Sequence, residues 1–237
     1  MIQLGNQPLT VTLLAELVAT PSPLQIHPDA QQRVAQSFDF LRSFAKDKVI
    51  YGIHTGFGPM AQYPIEASQQ TALQYNLIRS HCSGMGAAMP PTHIRAAMLC
   101  QLNTLLLGQS GVTPDLPQLL LQWLNNAIYP VVYEHGGVGA SGDLVQLAHL
   151  ALGYIGEGLV WHQGQQRAAA EVLRAHGMAP FSIQLREGLA LMNGTAVMTG
   201  LGLLHLDAAK NALGWAIIAA ALLNECSVPM TTICPRP

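Results

Sequence analysis

The sequence predicts a mainly α-helical fold with minor β content, and three observations carry that expectation. Apolar residues recur at helical intervals through most of the chain. Half of its 237 residues are apolar, enough to bury a sizeable core. The stretches that favour strand are short, as at Val131-Val132-Tyr133, and long apolar helical patterns follow them.

Taken in order, Thr10 is placed to cap a short helix through Val18. Residues 28–48 put Val34, Phe38, Leu41 and Ala45 on one helical face before Val49-Ile50-Tyr51 turns extended. Gly52, Gly56, Gly58, Pro59 and Pro64 then mark an irregular loop, and loops on a rigid frame commonly carry catalytic groups. Helices are expected over 66–81, 90–107, 114–127, 143–153, 168–176 and 195–224, with a break at Ser83-Gly84-Met85-Gly86 and a small hairpin around 161–166. The apolar run 212–223 is shorter than a membrane span and reads as a buried bundle helix.

Composition narrows the function classes. A formal net charge of −2 with only a tenth of residues charged leaves no basic field for nucleic acid or an anionic membrane, so neither is expected as a partner. So little charge suggests surface buried between subunits. Cys82, Cys100, Cys226 and Cys234 are scattered, without the spacing of a zinc site or a disulfide framework. The start, Met1-Ile2-Gln3-Leu4-Gly5-Asn6, lacks the basic and apolar regions of a signal peptide, and a cytoplasmic location is expected.

The most chemically suggestive segment is Gly136-Gly137-Val138-Gly139-Ala140-Ser141-Gly142-Asp143. Attack of the Gly142 amide nitrogen on the Ala140 carbonyl carbon would close a five-membered ring. Loss of two waters, one carrying the Ser141 hydroxyl, would leave an exocyclic methylene, giving 4-methylidene-imidazol-5-one with no metal or nucleotide. Gly142 presents an unhindered amide, Ser141 the leaving hydroxyl and Ala140 an accessible carbonyl, and the following helix would direct its positive N-terminal end at the ring. Two rival readings exist: an ordinary Ser-Gly-Asp helix start, and a dinucleotide-binding GxGxxG of Gly137, Gly139 and Gly142 with Glu157 as its acidic partner. The second requires strands alternating with helices downstream, where long apolar helices are expected instead.

Four ordered motifs together resemble the aromatic amino-acid and histidine ammonia-lyase family: Tyr51-Gly52-Ile53-His54-Thr55-Gly56-Phe57-Gly58, Asn76-Leu77-Ile78-Arg79-Ser80-His81, Ala140-Ser141-Gly142-Asp143 and Glu187-Gly188-Leu189-Ala190-Leu191-Met192-Asn193-Gly194-Thr195. Residues 58–63, 134–137 and 143–147 are most similar to bacterial tyrosine ammonia-lyases. The resemblance implies that the ring from Ala140, Ser141 and Gly142 captures the amine of an aromatic amino acid and that Tyr51 removes its β-proton. Ammonia then leaves to give an α,β-unsaturated acid. It further implies that Asn193 holds developing charge, that His81 and Gly58 line the substrate pocket, and that the active assembly is a homotetramer. Ser80-His81 occurs in histidine- and tyrosine-selective relatives alike, while the broader sequence favours tyrosine. His54 stands where the family usually has Asn. An aminomutase using the same ring, and a non-catalytic fragment, are the alternatives.

The resemblance divides the chain into an N-terminal lyase domain (1–194), the first part of a central helical bundle (195–225) and an atypical tail (226–237). Family members are about twice as long, and the arginine that binds the substrate carboxylate and a second catalytic tyrosine have no counterpart here. The chain alone is therefore expected to be inactive. In a shifted frame, permitted codons for the tail read Tyr-Asp-Asp-His-Leu-Ser-Pro, a family-like string, and a reading-frame change is expected. The nucleotide sequence checks this: a lyase-like segment should continue downstream in another frame, and its absence would contradict the expectation.

Overall fold

Thr10 is extended (φ −86°, ψ 162°) and its Oγ1 accepts from Leu13 N–H at 3.2 Å, starting helix α1 (Val11–Ala19) where expected. In the computed structural model, which describes residues 2–227, α1 connects two short strands, β1 (Ile2–Leu4) and β2 (Leu24–Ile26), that pair in parallel. Helix α2 (Pro28–Phe44) ends earlier than its periodicity suggests. Lys46, Asp47 and Lys48 are exposed and give a further turn nothing to pack against. Nor do residues 49–51 form a strand, because the Ile53 and His54 amides both donate to Ile50 O at 3.1 and 3.0 Å and fold the segment into a turn.

A short 3₁₀ turn (Gly58–Gln62) leads to α3 (Ala67–His81). The expected break at 83–86 includes a strand, β3 (Met85–Ala88). Helices α4 (Pro91–Leu106) and α5 (Asp115–Asn125) follow, then β4 (Tyr129–Pro130) and β5 (Tyr133–His135). β3 pairs antiparallel with β5. After α6 (Leu144–Tyr154), the expected hairpin appears as β6 (Leu159–His162) and β7 (Gln165–Ala168), which extend β4 into a three-stranded sheet. The chain then forms α7 (Ala169–Ala175), α8 (Glu187–Met192) and α9 (Ala196–Ser227).

Helix α4 is the axis of the core, with Ile94, Met98, Leu99 and Leu102 fully buried. Its Arg95 is buried too, and the charge is satisfied by donation to Leu17 O at 2.7 Å, Leu124 O at 3.0 Å and Tyr129 Oη at 3.1 Å. One guanidinium thus gathers carbonyls from the ends of α1 and α5. Trp123 and Tyr154 meet edge to face at 5.2 Å, joining α5 to α6.

Helix α9 crosses α4 at Gly200, where a Cβ would lie 2.8 Å from the backbone of Ala96 and Ala97, so glycine permits the close approach. Its later turns depart from the sequence-based expectation of burial. From Ala208 onward the helix is exposed in the single chain, including Trp215 at 73% and Leu223 at 65%. No other described element lies there to cover these residues. Cys226 and Ser227 continue α9, and the rest of the expected atypical tail, 228–237, lies outside the described residues. The β5 strand feeding the glycine-rich loop is antiparallel to its neighbour, so the loop is not the first turn of a dinucleotide-binding βαβ unit.

Candidate functional site

The backbone doubles back within residues 139–142. Gly139 and Gly142 form an isolated antiparallel bridge, and Ala140 and Gly142 a parallel one. Gly142 has φ +83°, and any Cβ there would collide with the carbonyl oxygen of Gly194. Left-handed backbone and close contact therefore both demand glycine. Ala140 and Ser141 are exposed at the tip of the turn, and Gly142 is half-buried at its base.

Asp143 fixes this turn. It occupies the N-cap position of α6 without capping that helix, and its Oδ2 instead accepts from Met198 N–H at 2.8 Å in the first turn of α9. Its own N–H donates to Gly194 O at 2.9 Å. A carboxylate on the unpaired amides of a helix N-terminus is the favourable placement for both partners. The two contacts hold the base of the 140–142 turn against Gly194 and the start of α9. Asn193 ends α8, its N–H donating to Leu189 O at 2.9 Å, and its exposed side chain makes no hydrogen bond among the described residues.

Tyr51 is 47% exposed, and its Oη accepts from Gly58 N–H at 3.0 Å, so these two candidate residues meet directly. Phe57 packs edge to face on the Tyr51 ring at 6.0 Å. His54 serves this loop by accepting from Ile50 N–H through Nδ1 at 3.1 Å, and Thr55 Oγ1 accepts from Gly52 N–H at 3.3 Å. Gly52, at φ +76°, lies beneath Leu189 of α8. Tyr51 makes no hydrogen bond to the 140–142 turn or to Asn193 among the described residues.

His81 closes α3 and is half-buried. Its Nδ1 lies 2.9 Å from Leu77 O and 3.1 Å from Ser80 Oγ, and the neutral tautomer that donates from Nδ1 to Leu77 O leaves Nε2 as an acceptor. The chain beyond it is held by Gly84 N–H, which donates to His149 Nε2 at 3.1 Å. His149 is buried on α6 and packs edge to face with Tyr133 at 5.2 Å. The segment after His81 thereby meets the start of the glycine-rich loop, where a Cβ on Gly136 would lie 3.2 Å from Gly84 Cα. Glu157 is engaged elsewhere, in a bidentate pair with Arg79 at 2.6 and 3.0 Å.

Sequence reasoning did not single out His149 or Gln74, which is fully buried on α3. The available signal for Gln74 was a polar residue on the same helical face as Ile78; for His149 there was only a histidine inside an apolar helix. No group of three or more His, Cys, Asp or Glu among the described residues is placed to hold a metal ion.

The family model described as aromatic amino acid lyase matches residues 9–229. Histidine ammonia-lyase of Deinococcus radiodurans is 42% identical over 221 residues, covering 93% of this chain and 42% of that protein. That of Bacillus cereus is 39% identical over 226 residues, covering 94% and 45%. Among solved structures, tyrosine aminomutase from Streptomyces globisporus superposes with a TM-score of 0.89 at 35% identity, over 94% of this chain and 42% of that one. Histidine ammonia-lyase from Trypanosoma cruzi gives 0.77 at 33% identity, over 85% and 39%. The chain thus spans less than half the length of these relatives.

The His149 contact has a pH signature. Burial penalises the charged ring and holds its pKa below the usual 6.5. As pH falls through that value the unfolded chain takes up a proton that the folded one refuses, so stability declines with acidification. His149→Gln keeps an acceptor for Gly84 but does not titrate. In urea unfolding, the stability of wild type minus that of His149→Gln should fall between about pH 7.5 and 5.5, by at most about 1.4 kcal/mol per pH unit. A difference independent of pH would contradict the assignment.

Proposed function

We propose, from the premise that this chain belongs to the aromatic amino acid lyase family, that it carries the electrophile-forming part of an ammonia-lyase site. Its substrate class is an amino acid whose side chain donates a hydrogen bond, histidine first and tyrosine second. The observation that carries the reading is the doubled-back 140–142 turn pinned to Gly194 through Asp143.

The residues present fit 4-methylidene-imidazol-5-one. Cyclisation needs the Gly142 nitrogen brought back toward the Ala140 carbonyl, and the turn already reverses across these residues with a glycine where a side chain would clash. The ring supplies an electrophilic methylene that turns the substrate amine into a better leaving group. Tyr51, its phenol oxygen positioned by the Gly58 amide, is assigned as the base for the β-proton. The free Asn193 amide is available to hydrogen-bond the substrate carboxylate or the charge that develops during elimination.

His81 supports the choice of side chain. In the neutral tautomer that donates to Leu77 O, the ring offers an acceptor at Nε2, which an imidazole N–H or a phenol O–H satisfies and a phenyl ring leaves unpaired. The similarity to histidine ammonia-lyases at 42% and 39% identity puts histidine first. The tyrosine-like residues 58–63 and 143–147 keep tyrosine second. Similarity to a tyrosine aminomutase supports a second reading, in which ammonia returns to the β-carbon.

Turnover requires more protein surface than this site contains. Tyr51, Ala140, Ser141 and Asn193 are open to solvent, whereas elimination benefits from water exclusion and from a cation on the carboxylate. A chimera in which this chain replaces the matched 221 residues of the Deinococcus protein supplies that surface. It should release ammonia and the unsaturated acid from histidine, with phenylalanine a much poorer substrate. Tyr51→Phe should lower kcat roughly 10²- to 10⁴-fold, and a β-amino acid product would mark the aminomutase reading. A correctly assembled chimera inactive on both histidine and tyrosine would overturn the proposal.

A further inference from the structure

The Tyr51 loop and helix α8 are far apart in sequence and hold residues assigned to one site. One buried side chain hydrogen-bonds to both. Gln74 is fully buried on α3, and both ends of its amide are spent: Nε2 donates to Gly52 O at 2.8 Å, and Oε1 accepts from Leu189 N–H at 3.2 Å. Gly52 is the residue after Tyr51, and Leu189 accepts the N–H of Asn193. Gln74 therefore couples the backbone beside the assigned base to the helix that ends in Asn193.

The surroundings are shaped to this amide. A Cβ on Gly188 would lie 2.9 Å from Gln74 Cβ, O and Oε1, so only glycine at 188 leaves the glutamine its place. On the other side, a Cβ on Gly52 would meet Leu189 Cδ2 at 2.7 Å, so the loop and α8 are in direct contact where the amide bridges them. The next residue of α3 adds to the attachment, Tyr75 Oη accepting from Ile183 N–H at 3.2 Å. A buried primary amide with both polar atoms satisfied by backbone is costly to disturb, because each lost bond leaves a carbonyl or an amide unpaired.

We infer that Gln74 is a positioning residue that sets the Tyr51 loop against α8, fixing the placement of Tyr51 relative to Asn193. The roles of those two residues rest on the function proposed above, but the coupling does not, and it is measurable in the chain as it stands. Two substitutions separate its halves. Gln74→Met removes both hydrogen bonds at similar length. Gln74→Glu, when ionised, keeps an acceptor for Leu189 N–H and loses the donor to Gly52 O. When protonated it restores that donor, and burial favours the protonated form.

The test is amide hydrogen exchange on the 237-residue chain, corrected for intrinsic rates at each pH. Gln74→Met should speed exchange over residues 52–58 and at Leu189 roughly tenfold, the cost of about one buried hydrogen bond, while α4 stays protected. Gln74→Glu should speed exchange over 52–58 alone at alkaline pH, where the introduced carboxyl is ionised, and recover as pH falls and the carboxyl is protonated, a rescue that a packing role would not show. Gly188→Ala, which crowds Gln74, should loosen 52–58 although it lies on another element, and it serves if Gln74→Met fails to fold. Unchanged exchange over 52–58 in Gly188→Ala and in Gln74→Glu at alkaline pH, or loosening in Gln74→Glu that does not recover as pH falls, would overturn the inference. An inactive chimera with the expected exchange pattern would overturn only the functional reading.

Discussion

The site depends on one residue placed between two helix starts. Asp143 gives its backbone N–H to Gly194 and its carboxylate to the first turn of α9, while its position in the chain makes it the entry to α6. The carboxylate forgoes its own helix and serves the neighbouring one, where the unpaired amide of Met198 and the positive end of α9 favour it. The 140–142 turn immediately precedes this residue, so the two bonds anchor its base. The geometry asked of Gly142 follows from the same contact, since the Gly194 carbonyl that accepts from Asp143 occupies the space a side chain would need.

Around that point, buried polar groups fasten loops to a helical frame. Arg95 collects carbonyls at the ends of α1 and α5, and Gln74 bridges the Tyr51 loop to α8. Glu187 starts α8 fully buried, accepting from Thr113 N–H, Thr113 Oγ1 and Gln184 N–H, each at 2.7 Å. Burial pushes its carboxyl above the ordinary range, and these bonds pull it back part of the way. Such groups add little net stability when satisfied and cost much when left unpaired, so they specify one arrangement of the loops more than they strengthen the core.

What was legible in the sequence follows the range of each signal. Amphipathic helices were readable because their period is local, and Thr10 was readable as a cap because its partner is three residues away. The parallel pair β1 and β2 was not, since each strand has three residues and their pairing spans α1. The early end of α2 was hidden because Ala45 still fits the apolar face, while the polar residues after it end the packing. At the site, Tyr51, His81, Ala140, Ser141, Gly142 and Asn193 were recognisable from their residue types in ordered motifs. Asp143's cross-helix cap and Gln74's bridge were not, because each is defined by a partner that only the folded backbone brings within reach. The exposed apolar half of α9 was read as buried from composition alone, and composition reports what a helix requires, not whether a neighbour in the same chain supplies it.

The proposed function requires the clamped 140–142 turn to generate its own electrophile from the residues of this chain. The intact mass of the purified polypeptide reads this out. The mass should be lower than the sequence mass by two waters, with the deficit localised to the peptide containing residues 140–142 and absent when Ser141 is replaced by alanine. A chain at its full sequence mass would contradict it.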